Sequence, residues 1–196
     1  WPFAFLAGGS VLSGIVFGLG CLHLIYPVTL LGVSLLSIGL CFFFTMKQVS
    51  DARLPPLPNY LKALFIGGFG AYNLLYVRYA LAPENSPDGM VYHLGLTNLY
   101  LQAHGIFRIT TTFYASLSQG MEMLFLFAFA FGKHSAAASV HYLFLICLPL
   151  LMLLYARRFG MPSAGVAGAL LVFASPVLGI DGTSAYIDVA LACVIF

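Results

Sequence analysis

The sequence predicts an all-α, polytopic transmembrane helical bundle with a large outer loop that carries juxtamembrane helices. Three observations predict it. Of 196 residues, 61% are hydrophobic and 7% charged, against roughly 25% charged in soluble domains. The apolar residues come in long runs near the ~20 residues that cross a hydrocarbon core. The charged residues fall mostly between those runs. A net charge of +2 spread over isolated basic residues gives no stripe that could neutralise a phosphate backbone, which speaks against nucleic acid and leaves membrane lipids as the expected surroundings.

Residues 3–26 form an uncharged apolar run, with Gly14 and Gly18 at the spacing that lets helices approach closely, and Pro27 breaks it. A second run covers about 28–46. Lys47, Asp51, Arg53 and Pro55-Pro56-Leu57-Pro58 then make a connection that lipid cannot hold. The two runs read as a transmembrane hairpin with its cytoplasmic loop, a unit spanning 1–59 ahead of 60–196. A third span is expected at 60–82, with Gly67, Gly68 and Gly70 for close packing and Tyr72, Tyr76 and Tyr79 at an interface.

Residues 83–115 are the longest polar stretch, and apolar segments follow at 116–132, 135–156, 162–180 and from 183. If all of them crossed, Arg157 and Arg158 would lie opposite Lys47, Arg53 and Lys62, and no positive-inside bias would survive. Laying 116–132, with its Ser116, Ser118, Gln119 and Glu122, on the outer surface restores that bias. The N-terminus is then cytoplasmic, and Glu84, Asp88, Glu122, Asp181 and Asp188 share the outer side. Both ends of the sequence read as cut, because Phe196 falls inside an apolar run. Cys21, Cys41, Cys147 and Cys193 are widely spaced in apolar runs and read as small core residues, without zinc or disulfide spacing.

Ser86-Pro87-Asp88-Gly89 reads as a helix start, with Ser86 as the cap and Asp88 facing the positive end of the helix dipole. The helix is expected to reach His104, where Gly105 stops it, and to put Tyr92 one turn from Asp88. Asp88 is therefore either a helix-start charge or a catalytic carboxylate. Asp188 is expected about one turn into the last apolar helix, past a cap at Thr183 or Ser184; a carboxylate costs about 2.5–3.5 kcal/mol at a span's centre and less near its end, so it too is a candidate. Asp181 reads as a turn residue. Arg108 and Arg78 could each grip a phosphate with paired guanidinium donors, or snorkel to headgroups. His93 and His104 lack a third close ligand for a metal, and His23 and His141 read as packing residues. Glu122, odd in so apolar a helix, either orients a site or faces water.

The ordered set Pro87-Asp88-Gly89-Met90-Val91-Tyr92-His93-Leu94, Gln119-Gly120-Met121-Glu122-Met123-Leu124-Phe125, Ala156-Arg157-Arg158, Ser175-Pro176 and Ala185-Tyr186-Ile187-Asp188 resembles the polytopic GT-C glycosyltransferases, near the protein O-mannosyltransferase and aminoarabinose transferase families. The resemblance covers about 60–196. It implies a bacterial inner-membrane enzyme that uses a polyprenyl-phosphate sugar, with its active site facing the periplasm or exterior. Asp88 and Asp188 would be the catalytic acids, with Arg108, Arg78, Tyr92, His93 and Glu122 around the substrates. An arginine or a divalent cation would stabilise the leaving phosphate, and the resemblance names no certain cofactor, sugar, acceptor or oligomeric state. Two departures stand out: the extra hairpin at 3–46, and a lone Asp88 where some members pair two acids. The rival readings are a secondary transporter, whose intramembrane acids would bind ions, and a non-catalytic membrane subunit.

Overall fold

The computed structural model describes residues 2–45 and 54–196, and every regular element among them is helical. In order these are α1 (Pro2–Cys21), α2 (Pro27–Thr45), α3 (Asn59–Leu81), a π-helical turn (Gly89–His93) leading into α4 (Leu94–Gln102), a 3-10 turn (Phe113–Ser116), α5 (Gly120–Arg158), α6 (Pro162–Phe173), α7 (Pro176–Gly182) and α8 (Asp188–Ile195). Lys47, Asp51 and Arg53 lie outside the described residues. Four helices open on proline, whose fixed φ suits the first turn and whose missing N–H costs nothing there.

Two helices, α1 and α5, are long and apolar enough to cross a membrane, and α6 with α7 meets the same test as a pair bent by 66°. Only 11% of the apolar window of α1 is buried by the rest of the protein. A helix this apolar and this exposed suits lipid rather than water.

The longest helix, α5, is not one rod. Gly132 (φ −139°, ψ 16°) and Lys133 (φ 56°, ψ −139°) leave the helical backbone, and the chain reverses there. At ~1.5 Å per residue a straight helix would hold Phe125 and His141 about 24 Å apart, yet their ring centroids are 6.4 Å apart. Segment 120–131 (α5a) thus folds back on the first turns of 134–158 (α5b). The second segment, about 37 Å long, exceeds the ~30 Å of a hydrocarbon core. The structure so separates the two apolar segments that the sequence placed on either side of 132.

Helix α5b is the central post. Along it α3 runs antiparallel: Ser135 Oγ donates to the Leu81 carbonyl (2.9 Å), Tyr142 to the Asn73 carbonyl (3.2 Å) and Arg157 to the Pro55 carbonyl (2.6 Å). Close approach of α6 needs Gly165, where a Cβ would lie 2.5 Å from Ala156 Cβ. The chain expected to continue from 162 to 180 instead breaks at Ala174–Ser175, because Pro176 cannot donate to the helix before it. Helix α8 returns beside α5b, so that Phe196 meets Tyr155 with ring centroids 5.7 Å apart.

Helix α1 packs on α5 rather than on α2. Phe5 meets Phe144 at 4.8 Å between centroids, and Val16 joins Tyr100, Met123 and Leu126 in one cluster. The expected hairpin is thus a turn between helices that share few contacts. That turn is clasped to the end of α4: Ile25 N–H donates to the His104 carbonyl (3.0 Å), and Ile106 N–H to the Gly20 carbonyl (2.9 Å). The left-handed residue closing α4 is His104 (φ 54°), not Gly105. Gly105 is required by proximity, since a Cβ there would lie 2.9 Å from the Gly20 carbonyl oxygen.

Charge is sorted along the bundle. Lys62, Arg157 and Arg158 lie at the end where α5b finishes and α3 begins. The acids Glu84, Asp88, Glu122, Asp181 and Asp188 gather at the other end.

Candidate functional site

Segment 82–93 supplies the first wall of the acidic end. Ser86 caps as expected, its Oγ accepting from Gly89 N–H at 3.2 Å. Gly89 is buried where a Cβ would meet Ser86 Oγ at 2.5 Å and Glu84 Cδ at 2.9 Å. The turn that follows is π-helical, a form often found at functional sites. Asp88 is exposed and its carboxylate sits beside the Tyr92 hydroxyl. Burial and the Asp88 charge push the Tyr92 phenol up to about 12, so it stays a donor at neutral pH. Tyr92 stacks on Tyr114, with centroids 3.9 Å apart and planes 5° apart.

His93 faces inward, 4% exposed, and its Nδ1 lies 2.8 Å from Oε1 of Glu122, itself 6% exposed. Glu122 does not face water. Its Oε2 has no hydrogen-bond partner among the described residues. Thr97 Oγ1 donates to the His93 carbonyl at 2.7 Å and fixes the backbone behind the ring. With Nδ1–H donating to the carboxylate, His93 presents Nε2 as its remaining polar atom.

The third wall is the α7–α8 junction. Thr183 Oγ1 and Ser184 Oγ donate back to the Gly179 (2.6 Å) and Ile180 (2.8 Å) carbonyls. They finish α7 rather than cap α8, which begins at Asp188 itself. Asp188 is exposed on that first residue and its carboxyl group reaches Asp181, which lies in the last turn of α7 rather than in a loop. Asp181 Oδ1 is 3.7 Å from His141 Nε2. His141 makes two hydrogen bonds: Nδ1 to the Ser184 carbonyl (3.0 Å), and Nε2 accepting from Ala190 N–H (3.1 Å). That pairing requires the neutral ring.

Glu84, which the sequence left without a role, ties the walls together. Its Oε1 accepts from Ser86 N–H (2.9 Å) and its Oε2 from Ala185 N–H (2.5 Å), 101 residues away. Tyr186, the other residue missed, stands 6.3 Å from the His93 ring. The structure therefore brings Asp88, Tyr92, His93, Glu122 and Asp188 to one end of the bundle, and adds Glu84, Asp181, His141 and Tyr186.

The two candidate arginines are set apart. Arg78 is exposed on the last turn of α3. Arg108 is also exposed but lines a cavity of about 1180 Å³ between α1, α4 and the 106–119 segment, together with Ser13, Tyr100, Thr110, Ser116 and Gln119. A second cavity, about 400 Å³, lies between α1, α5a and α8 and is lined by Glu122. The two share Ser10, Ser13, Ser118 and Gly120. Among the described residues no group of three His, Cys, Asp or Glu side chains is placed to hold a metal ion. His23 is exposed in a left-handed turn (φ 56°), with its ring lying over Gly105. Cys147 and Cys193 are buried as expected and share one apolar cluster, Cys21 is exposed rather than a core residue, and the side chain of Cys41 lies outside the described residues.

No protein-family model, curated protein or solved structure matches the chain.

Proposed function

We propose that the protein is a multi-pass membrane glycosyltransferase of the GT-C type that moves a sugar from a polyprenyl phosphate to an acceptor hydroxyl at the outer face of a bacterial inner membrane, with inversion. The observation that carries the reading is the gathering of carboxylates from four separate segments at one end of an apolar bundle, beside a cavity with an arginine at its wall. Lys62, Arg157 and Arg158 at the opposite end fit a cytoplasmic side.

In this reaction the bond from the anomeric carbon to the phosphate oxygen breaks, and its electron pair leaves on the phosphate. The acceptor oxygen attacks that carbon from the opposite face as its proton passes to the Asp88 carboxylate. Asp88 is exposed and so accessible, and the Tyr92 hydroxyl beside it holds the carboxylate in place. Arg108 supplies paired donors for the leaving phosphate from the large cavity. A divalent cation could share that task, although the described acids do not form a ready three-ligand set. Asp188, with Asp181 against it, stands at the same end of the bundle.

The test is Asp88→Asn in the full-length protein. Asparagine keeps the size and still tolerates a helix start, but it accepts no proton. Transfer from a short-chain polyprenyl-phosphate sugar should fall roughly 10²–10⁴-fold, the usual worth of a positioned base. Near-normal turnover removes Asp88 from the chemistry, and absence of transfer by the unmodified protein from any such donor sinks the reading.

A further inference from the structure

We infer that a third cavity, between α3 and α7, holds the ammonium headgroup of a membrane lipid. Its volume is about 610 Å³, and it shares no lining residue with either cavity beside α1. No residue given a part in the transfer reaction lines it, so the site stands apart from the transferase reading.

One wall is aromatic. Tyr72, Tyr76 and Tyr79 recur at helical spacing on α3, and all three line the cavity. Tyr76 is buried and fixed, its hydroxyl donating to the Phe173 carbonyl at 2.7 Å. Tyr72 and Tyr79, before and after it on the helix, stay 36% and 60% exposed. Ring surface is therefore left for a guest, and the negative face of an aromatic ring attracts a cation within about 6 Å of its centroid.

Charge points the same way. Glu84 lines the cavity and no Lys or Arg does. Among the described residues its carboxylate has no salt-bridge partner. Ala82 and Ala174, the C-caps of α3 and α6, also lie on the wall, which brings the negative ends of two helix dipoles to the same space. Arg78 shares the last turn of α3 but is not on the wall. Carboxylate, ring faces and helix ends together favour a positive guest.

Hydrogen bonding separates a cation from a sugar. A polyhydroxyl ligand needs directional partners, and here they are spent. Glu84 accepts from the N–H groups of Asn85, Ser86 and Ala185, while Thr183 and Ser184 donate to the Gly179 and Ile180 carbonyls. Those bonds use up directions but leave the net charge of Glu84 in place, and Coulomb attraction needs no set direction. The rim names the source. Leu75 and Ile180 line the cavity and are exposed, and Leu74 and Val177 on the same two helices are 70% and 74% exposed. Apolar surface of this kind marks contact with a membrane, so the headgroup enters from the bilayer with its chains along α3 and α7.

The test uses the full-length protein in phosphatidylglycerol nanodiscs. Phosphatidylethanolamine, phosphatidylcholine or phosphatidylglycerol is added at one low fraction, each with a diazirine near the glycerol end of an acyl chain. Photolysis should label Leu75 and Ile180 at least about fivefold more from either ammonium lipid than from phosphatidylglycerol. Tetramethylammonium chloride should reduce that labelling more than sodium chloride at the same concentration. Tyr79→Leu, which removes the ring, should cut it about two- to fivefold, the worth of one exposed cation–π contact. Tyr79→Phe, which keeps the ring and removes the hydroxyl, should leave it within about twofold. Glu84→Gln keeps the size and should erase the preference over phosphatidylglycerol; if that protein does not fold, the two Tyr79 variants decide. Equal labelling by the three lipids, unchanged labelling in Tyr79→Leu, or a loss in Tyr79→Phe as large as in Tyr79→Leu overturns the inference. Displacement of the label by a soluble hexose but not by tetramethylammonium does so as well, and makes the cavity a sugar site.

Discussion

At the scale of single residues, the His93–Glu122 pair sets the terms for the acidic end. Taking one partner from a buried, hydrogen-bonded pair strands the other, which costs about 3–5 kcal/mol, whereas replacing both with apolar side chains can be nearly neutral. Glu122→Leu alone should therefore lower stability by about 3 kcal/mol or more in detergent. The double replacement Glu122→Leu with His93→Leu should cost at least about 1 kcal/mol less than the sum of the single changes. Unfolding curves for the four proteins check this, and strict additivity would mean that the 2.8 Å contact is not a coupled pair. The sequence marked each residue but not their partnership, because capping at Ser86 is a matter of three residues while His93 and Glu122 are 29 apart and on different elements.

At the scale of elements, the bend between α6 and α7 is what carries Asp181 to His141 and Asp188. It is held by close approach: a Cβ on Gly179 would lie 2.5 Å from Tyr76 Cε1, and Tyr76 donates to the Phe173 carbonyl at 2.7 Å. Gly179→Ala should push Tyr76 aside, break that hydrogen bond and cost about 1–3 kcal/mol. The shift should be smaller when Tyr76→Phe is already present, and thermal unfolding of both backgrounds measures the difference. Element boundaries were legible where the signal was local. Pro27 and Pro162 each open a helix and Gly132-Lys133 marks the reversal of α5, whereas the break before Pro176 was not read. The start of α8 was not, because the hydroxyls of Thr183 and Ser184 look like caps from the sequence but bond backward to α7 carbonyls. Nor does an apolar run report which neighbour it packs on, and so the divergence of α1 from α2 was invisible.

At the scale of the whole molecule, the sorting of charge predicts an orientation that labelling can test. With the natural cysteines replaced, single cysteines at positions between 84 and 108 should react with a membrane-impermeant maleimide from outside, and cysteines at 157 and 158 only after permeabilisation. Reaction at 157 from outside would reverse the bundle or add a crossing, and would separate the acids that the fold brings together. The 83–119 segment is the part that the amino-acid order marked most plainly as unsuited to lipid, because its polar residues cannot be hidden there. The two adjoining cavities beside α1 were the least legible, since both are built from α1 and from chain that follows much later.

That separation also shapes the birth of the protein. The Ser13–Gly120 hydrogen bond joins residues 107 apart, and chains grow at roughly 5–20 residues per second, so α1 emerges about 5–20 s before its dock. During that interval α1 can meet α4 through Val16 and Tyr100 but not α5, so the side that docks on α5 has no partner. The absence of any charged residue from α1 then serves residence in the bilayer before assembly as much as packing afterwards. Binding of α1 becomes a late, lateral closing step that completes the walls of both cavities.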